Sequence, residues 1–210
     1  MIDLYTWHTP NGRTVSIMLE ECGLAYEVRL VDISKRAQLD PEYRKISPAN
    51  KVPAIVDQDG PDGRRLRVFE SAAILQYLAE KTGRFRGNDP VTRIECTQWL
   101  LMAVSNLAPA AGTAFVLAHG SGEEACGEPQ GFGARYFGDQ LRRMVGVLDF
   151  RLREYEYLAK TYTIADMAAY PWIAAHEMLG FDLGDYVGVR NWYGRLSKRA
   201  AIGRGMAVPG

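Results

Sequence analysis

Two short stretches of this chain place chemically useful residue types at the starts of helices. The first is Glu70-Ser71, between an apolar strand-like run (Leu66, Val68, Phe69) and a helical pattern (Ala72, Ile74, Leu75, Leu78, Ala79). A hydroxyl there lies among the unpaired N–H groups of a helix N-terminus, a natural seat for a carboxylate. The neighbouring carboxylate can take an ammonium, so the pair suits an α-amino acid end. The same two residues serve equally well as a plain helix cap. The second stretch is Thr9-Pro10-Asn11-Gly12, where a strand gives way to a helix. A helix N-terminus stabilises a thiolate, but this turn carries no cysteine. A thiolate served here would belong to a bound ligand, with Thr9 and Asn11 donating to it, or else both residues simply cap the helix. His8 beside the turn either favours an anion or points away.

The elements that position these stretches follow from periodicity. Ile2 to Trp7 predicts a strand. Val15, Met18, Leu19 and Cys22 give a helix from about Asn11 to Cys22, stopped by Gly23. Tyr26 to Val31 alternates as a second strand, making a βαβ unit with parallel strands. Tyr5 and Trp7 read as packing residues. A short helix starts at Asp40-Pro41-Glu42 and stops before Ser47-Pro48. Val52-Pro53-Ala54-Ile55-Val56 is a third strand with a proline at its start, trans or cis; turn residues at 59–63 lead to the fourth. The order β-α-β-α-β-β-α is that of a thioredoxin-like α/β domain over residues 1–82. Residues 82–90 read as a linker, and 91–210 as an all-α helical bundle domain.

Within that bundle, Pro109 and Gly112 predict a loosened stretch from Ala108 to Thr113, and 119–133 reads as a loop. A long amphipathic helix is expected from Ala134, including Tyr136, Leu141, Val145, Leu148 and Phe150. Thr163 and Asp166 have capping-box spacing, with Tyr162 as a hydrophobic staple. His176 is expected further along that helix, then a last short helix at 191–196 and a frayed end.

Composition excludes several classes. Twenty-five basic and 25 acidic residues balance, with no basic block for nucleic acid or membrane. No unbroken apolar run reads as a membrane span. The start MIDLYTWHTP lacks a basic leader, so a cytoplasmic location is expected. Cys22, Cys96 and Cys126 are scattered and without C-x-x-C spacing, which argues against disulfides, zinc or a thioredoxin-type dithiol. No metal is expected.

NKVPAIVD at 50–57 and FESAAILQYL at 69–78 resemble the glutathione-binding half of cytosolic glutathione transferases. TPNG at 9–12, with no Tyr, Ser or Cys in a catalytic place, and LAEKTG at 78–83 narrow the resemblance to the nu class, and it covers most of the chain. It implies glutathione as co-substrate, one or two per subunit or as glutathione disulfide, and a homodimer. It implies a cis Val52–Pro53 bond, with the Val52 backbone on the cysteinyl part and Lys51 and Pro53 in the same binding strap. Glu70 and Ser71 would hold the γ-glutamyl end, Gln38 the peptide, and Thr9 and Asn11 the sulfur. Arg135 matches a glutathione-contacting arginine, or is a solvated surface residue. The implied activity is glutathione-dependent disulfide reduction by the bound thiolate rather than a protein cysteine. Conjugation of electrophilic small molecules is the alternative, as is a non-catalytic glutathione-binding regulatory module. Residues 112–117 are more apolar than that class leads one to expect, which leaves a second glutathione less secure than the first.

Overall fold

The computed structural model describes residues 1–119 and 131–210, which divide into two compact units: Met1–Arg86 with Ser197–Gly210, and Gly87–Leu196. The final segment therefore groups with the thioredoxin-like part rather than with the helices that precede it.

The first unit is built on a four-stranded sheet of order β2-β1-β3-β4. Strand β1 (Ile2–Thr6) pairs in parallel with β2 (Tyr26–Leu30) and antiparallel with β3 (Ala54–Asp57), which pairs antiparallel with β4 (Leu66–Phe69). Helix α1 (Pro10–Cys22) makes the β1–β2 crossover and stops where Gly23 turns left-handed at φ 66°. Two 3-10 turns and the short helix α2 (Pro41–Arg44), capped by Asp40, carry the chain from β2 to β3. Helix α3 (Ser71–Thr82) follows β4 directly. Leu4, Ile17, Met18, Leu19, Ile55, Ile74, Leu75 and Leu78 are fully buried and form the core.

Of the last six residues, expected to fray, Gly205 and Met206 belong to α9 (Ala200–Met206), which packs against α1, and 207–210 lie beyond it. A Cβ on Gly205 would fall 2.5 Å from the Ile17 Cα, so only glycine allows this approach. The Ser16 hydroxyl donates to Gly205 O at 2.7 Å, and Arg199 grips Glu21 with two bonds of 2.7 and 2.8 Å.

In the second unit, α4 (Pro90–Met102), a π-helical turn (Ala103–Leu107) and α5 (Ala108–His119) run on as one 30-residue helix. Pro109 does not loosen it. Proline lacks the N–H that would reach back four residues and its ring clashes there; the wide turn, in which Ala108 N–H reaches Ala103 O, absorbs the misfit just upstream. Because the run is unbroken, this helix is long and apolar enough by length and composition to cross a membrane, unlike the interrupted pattern read from sequence. Only a third of its most apolar window is buried.

Helix α6 (Phe132–Glu154) buries Leu141, Val145, Leu148 and Leu152, while Tyr136 and Phe150 face outward. Helix α7 (Ile164–Ala174) ends before His176, which lies in the following turn beside Phe181 and Tyr193. Helix α8 (Val187–Leu196) begins on Asp149, whose carboxylate accepts from Gly188 N–H at 2.7 Å and Val189 N–H at 3.2 Å.

Candidate functional site

The strand registers bring the first unit's candidate residues to one end of the sheet. Tyr5 pairs with Ala54 and Ala54 with Phe69. The turn after β1 (Thr9 to Gly12), the entry to β3 (Val52, Pro53) and the exit from β4 (Glu70, Ser71) therefore share that end. Strand β2 leaves there too, since Thr6 pairs with Leu30 and Val31 N–H donates to Thr6 O at 3.0 Å. Gln38 follows in the second 3-10 turn, Ala37–Leu39.

At the start of α1, Thr9 is the N-cap: its Oγ1 accepts from Gly12 N–H at 3.1 Å and its carbonyl from Arg13 N–H at 3.0 Å. Accepting leaves the hydroxyl proton available to donate elsewhere, so capping and ligand contact are compatible in one side chain. Pro10 has no N–H, and Asn11, which follows it, is half-buried. Gly12 is required, because a Cβ would fall 2.4 Å from Thr6 Oγ1 and 2.6 Å from Trp7 O. His8 is exposed and sits edge-on to Trp7, at 5.0 Å between centroids.

The Val52–Pro53 bond is cis. The ladder between β1 and β3 begins at Ala54, so the Val52 peptide groups lie outside it. Lys51, exposed, has its carbonyl held by two hydroxyls, Tyr43 at 2.7 Å and Ser47 at 2.8 Å. Burial pushes the Tyr43 hydroxyl up to about 12, so it stays a donor at physiological pH. Tyr43 and Ser47 escaped the sequence reading. Their only signal is a four-residue spacing, Tyr43, Ser47, Lys51, which periodicity assigns to a short helix.

Glu70 is the N-cap of α3 by position, yet its side chain makes no capping bond. Its backbone stands at φ 69°, ψ 119°, a conformation non-glycine residues adopt only at a cost. Its exposed carboxylate forms no ion pair among the described residues. Ser71 is 7% exposed, and none of the described residues hydrogen-bonds its hydroxyl. The plain-cap alternative for this pair is therefore not realised. Gln38 Oε1 is buried without a partner among the described residues, a lone acceptor of the sort a ligand N–H satisfies. Arg135 lies exposed in the first turn of α6, in the second unit.

Both described cysteines lie beyond the first turn of their helices. Cys22 closes α1 with its sulfur near Met18 Sδ and Thr82 Oγ1, and burial raises its pKa. Cys96 is buried in α4. Cys126 lies outside the described residues. Among the described residues no cluster has metal-ligating composition.

Residues 8–81 match the N-terminal domain of glutathione S-transferases. The chain is 39% identical over 208 residues to disulfide-bond oxidoreductase YfcG of Escherichia coli K12, spanning 98% of this chain and 94% of that one. Its fold superposes with a TM-score of 0.91 and 36% identity on a Pseudomonas putida glutathione transferase with one glutathione disulfide bound per subunit, covering 100% and 92% of the two chains. It matches a Burkholderia graminis glutathione transferase with two glutathione molecules bound per subunit at 0.90 and 37%, covering 99% and 88%. With a sheet end that gathers unspent polar groups and relatives alike over nearly their whole length, the chain belongs to the glutathione S-transferase family.

Proposed function

We propose that this protein is a cytoplasmic, homodimeric, nu-class enzyme that reduces disulfides with glutathione. The observation that carries the reading is the start of α3, where Glu70 is held in a costly backbone conformation with its carboxylate unspent beside the unspent Ser71 hydroxyl. Glu70 takes the ammonium of the γ-glutamyl end and Ser71 its carboxylate. The Val52 peptide groups pair with the cysteinyl amide, positioned by the Tyr43 and Ser47 hydroxyls on Lys51 O. Pro53 fixes the entry to β3. Gln38 Oε1 accepts a peptide N–H, and Lys51 supplies positive charge at the same strap. Thr9 Oγ and Asn11, with the α1 N-terminus, stabilise the thiolate.

That thiolate attacks one sulfur of a substrate disulfide. A glutathione mixed disulfide forms and the first substrate thiol leaves. A second glutathione thiolate attacks the mixed disulfide, releasing the other thiol and glutathione disulfide. No protein cysteine enters the cycle. The relatives with one glutathione disulfide or two glutathiones per subunit support this stoichiometry.

Exposed apolar side chains in the second unit support the homodimer. Phe150 is 79% exposed and lines, with Trp99 and Val147, a groove along α4 and α6. A second reading, conjugation of an electrophilic carbon, is favoured by the exposed Phe115, Val116 and Leu117.

Glutathione-dependent reduction of 2-hydroxyethyl disulfide, coupled to glutathione reductase, tests the proposal. Turnover on the order of 1 s⁻¹ or more is expected, and it should persist in a Cys22, Cys96, Cys126 triple serine variant. Loss of turnover in a folded triple variant would sink the thiolate mechanism. Faster turnover of an aryl halide than of the disulfide would favour conjugation.

A further inference from the structure

The first unit holds an open groove of about 480 Å³ on the face of the sheet turned away from α1 and α3. Its size is that of a small-molecule pocket. Thr9, Asn11, Gln38, Val52, Glu70 and Ser71 do not line it, although Tyr43, whose hydroxyl holds Lys51 O, does. The apolar wall comes from Tyr5 on β1, Leu30 and Val31 at the end of β2, and Tyr43 and Ile46 around α2. Tyr5 and Tyr43 tilt against each other at 6.0 Å. Leu30 is 61% exposed, an unusual state for a leucine bordering a concave surface.

Charge on the rim is lopsided once internal pairs are removed. Asp40 caps α2 by accepting from Glu42 N–H at 2.7 Å, and Glu42 pairs with Lys45 at 2.6 Å. Lys45 thereby matches Glu42, and Asp40 is the one acid lining the groove without a cationic partner among the described residues. Arg65, just before β4, and Arg67, within it, both line the groove and have no ion pair among the described residues. Arg29, on the same sheet face, is held by Asp3 at 3.1 Å and Glu27 at 2.8 Å. The groove therefore offers an apolar wall and two uncommitted guanidinium forks, which suit carboxylate geometry.

We infer that this groove binds an amphipathic carboxylate, its chain along Leu30, Tyr5 and Ile46 and its head group on Arg65 and Arg67. The inference stands apart from the glutathione reading.

Calorimetric titration with decanoate below its micellar concentration tests it, with decyltrimethylammonium as the charge control. Saturable one-to-one decanoate binding is expected, undiminished by saturating glutathione. It should weaken at least tenfold in an Arg65→Gln/Arg67→Gln variant of unchanged melting temperature. Leu30→Asn, at an exposed position, should weaken it several-fold. Absence of binding, equal binding of the ammonium, or full affinity in the double arginine variant would overturn the inference. So would loss of binding in Ser71→Ala with the arginines intact, which would place the carboxylate at the sheet end instead.

Discussion

Two helix starts in this molecule use similar residues in opposite ways. At α7, Thr163 and Asp166 close a capping box, and Asp166 is wholly buried. Its carboxylate accepts from Leu158 N–H, Thr163 N–H and Trp192 Nε1 at 2.9–3.0 Å, and from the Thr163 hydroxyl at 3.4 Å. Every polar atom is consumed by the protein itself. At α3, Glu70 and Ser71 occupy the corresponding place, and neither side chain is spent on the helix. A cap with all its bonds made stabilises the fold. A cap with bonds left over, in a backbone that costs free energy to hold, is a place for something else.

The largest effect should follow from opening the closed start. Asp166→Ala strands three buried N–H donors, and urea unfolding should show a loss of about 3–5 kcal/mol. The pH dependence carries a further test. Burial raises the Asp166 pKa to about 6, against the N–H donors that lower it. A folded carboxyl with a raised pKa contributes stability that is present below the unfolded value, about 4, and is lost as pH rises through about 6. Wild type should therefore gain stability relative to Asp166→Asn as pH falls from 6 to 4. The opposite trend would mean that the donors, not burial, govern this carboxyl.

Changes at the open start should act on ligand rather than fold. Ser71→Ala should raise the glutathione KM roughly tenfold to a hundredfold, the equivalent of about 1.5–3 kcal/mol for a hydrogen bond to a charged group, with little change in melting temperature. Glu70→Gly removes the carboxylate and also relieves φ 69°. It should weaken glutathione binding while stabilising the free protein by about 1 kcal/mol. A glycine variant that binds glutathione normally, or that unfolds earlier, would erase the distinction between the two starts.

Much of the fold was legible because proline and glycine punctuate it locally. Pro10, Pro41 and Pro90 open helices, and Gly23 and Gly83 close them in left-handed conformations. What escaped depends on distant partners. Pro109 looked like a break because local sequence does not show that the turn before it widens. The docking of Gly205 on Ile17 joins positions 188 apart, and no periodicity encodes it. The same limit applies to the candidate site. Residue types at 70–71 and 163–166 gave both helix starts, but whether their side chains were spent depended on neighbours such as Trp192, far along the chain. The hydroxyls of Tyr43 and Ser47 on Lys51 O were hidden for the same reason.

Thr9 falls between the two extremes. Its Oγ1 caps α1 by accepting a bond, as at the closed start, yet its hydroxyl proton remains to donate, as at the open one. Substitution can separate the two uses. Thr9→Ala should lose both, with about 1 kcal/mol of stability and at least tenfold in disulfide turnover. Thr9→Ser should keep both. Thr9→Asp is the decisive variant: aspartate caps as well as threonine and suits a helix N-terminus, so the melting temperature should hold. A carboxylate has no proton to donate, however, and repels a thiolate, so turnover should fall further than in the alanine variant, with a raised pKa for the bound glutathione thiol measured by thiolate absorbance. If the aspartate variant turned over disulfide like wild type, Thr9 would belong with Thr163 as a structural cap, and the thiolate would depend on Asn11 and the helix N-terminus alone.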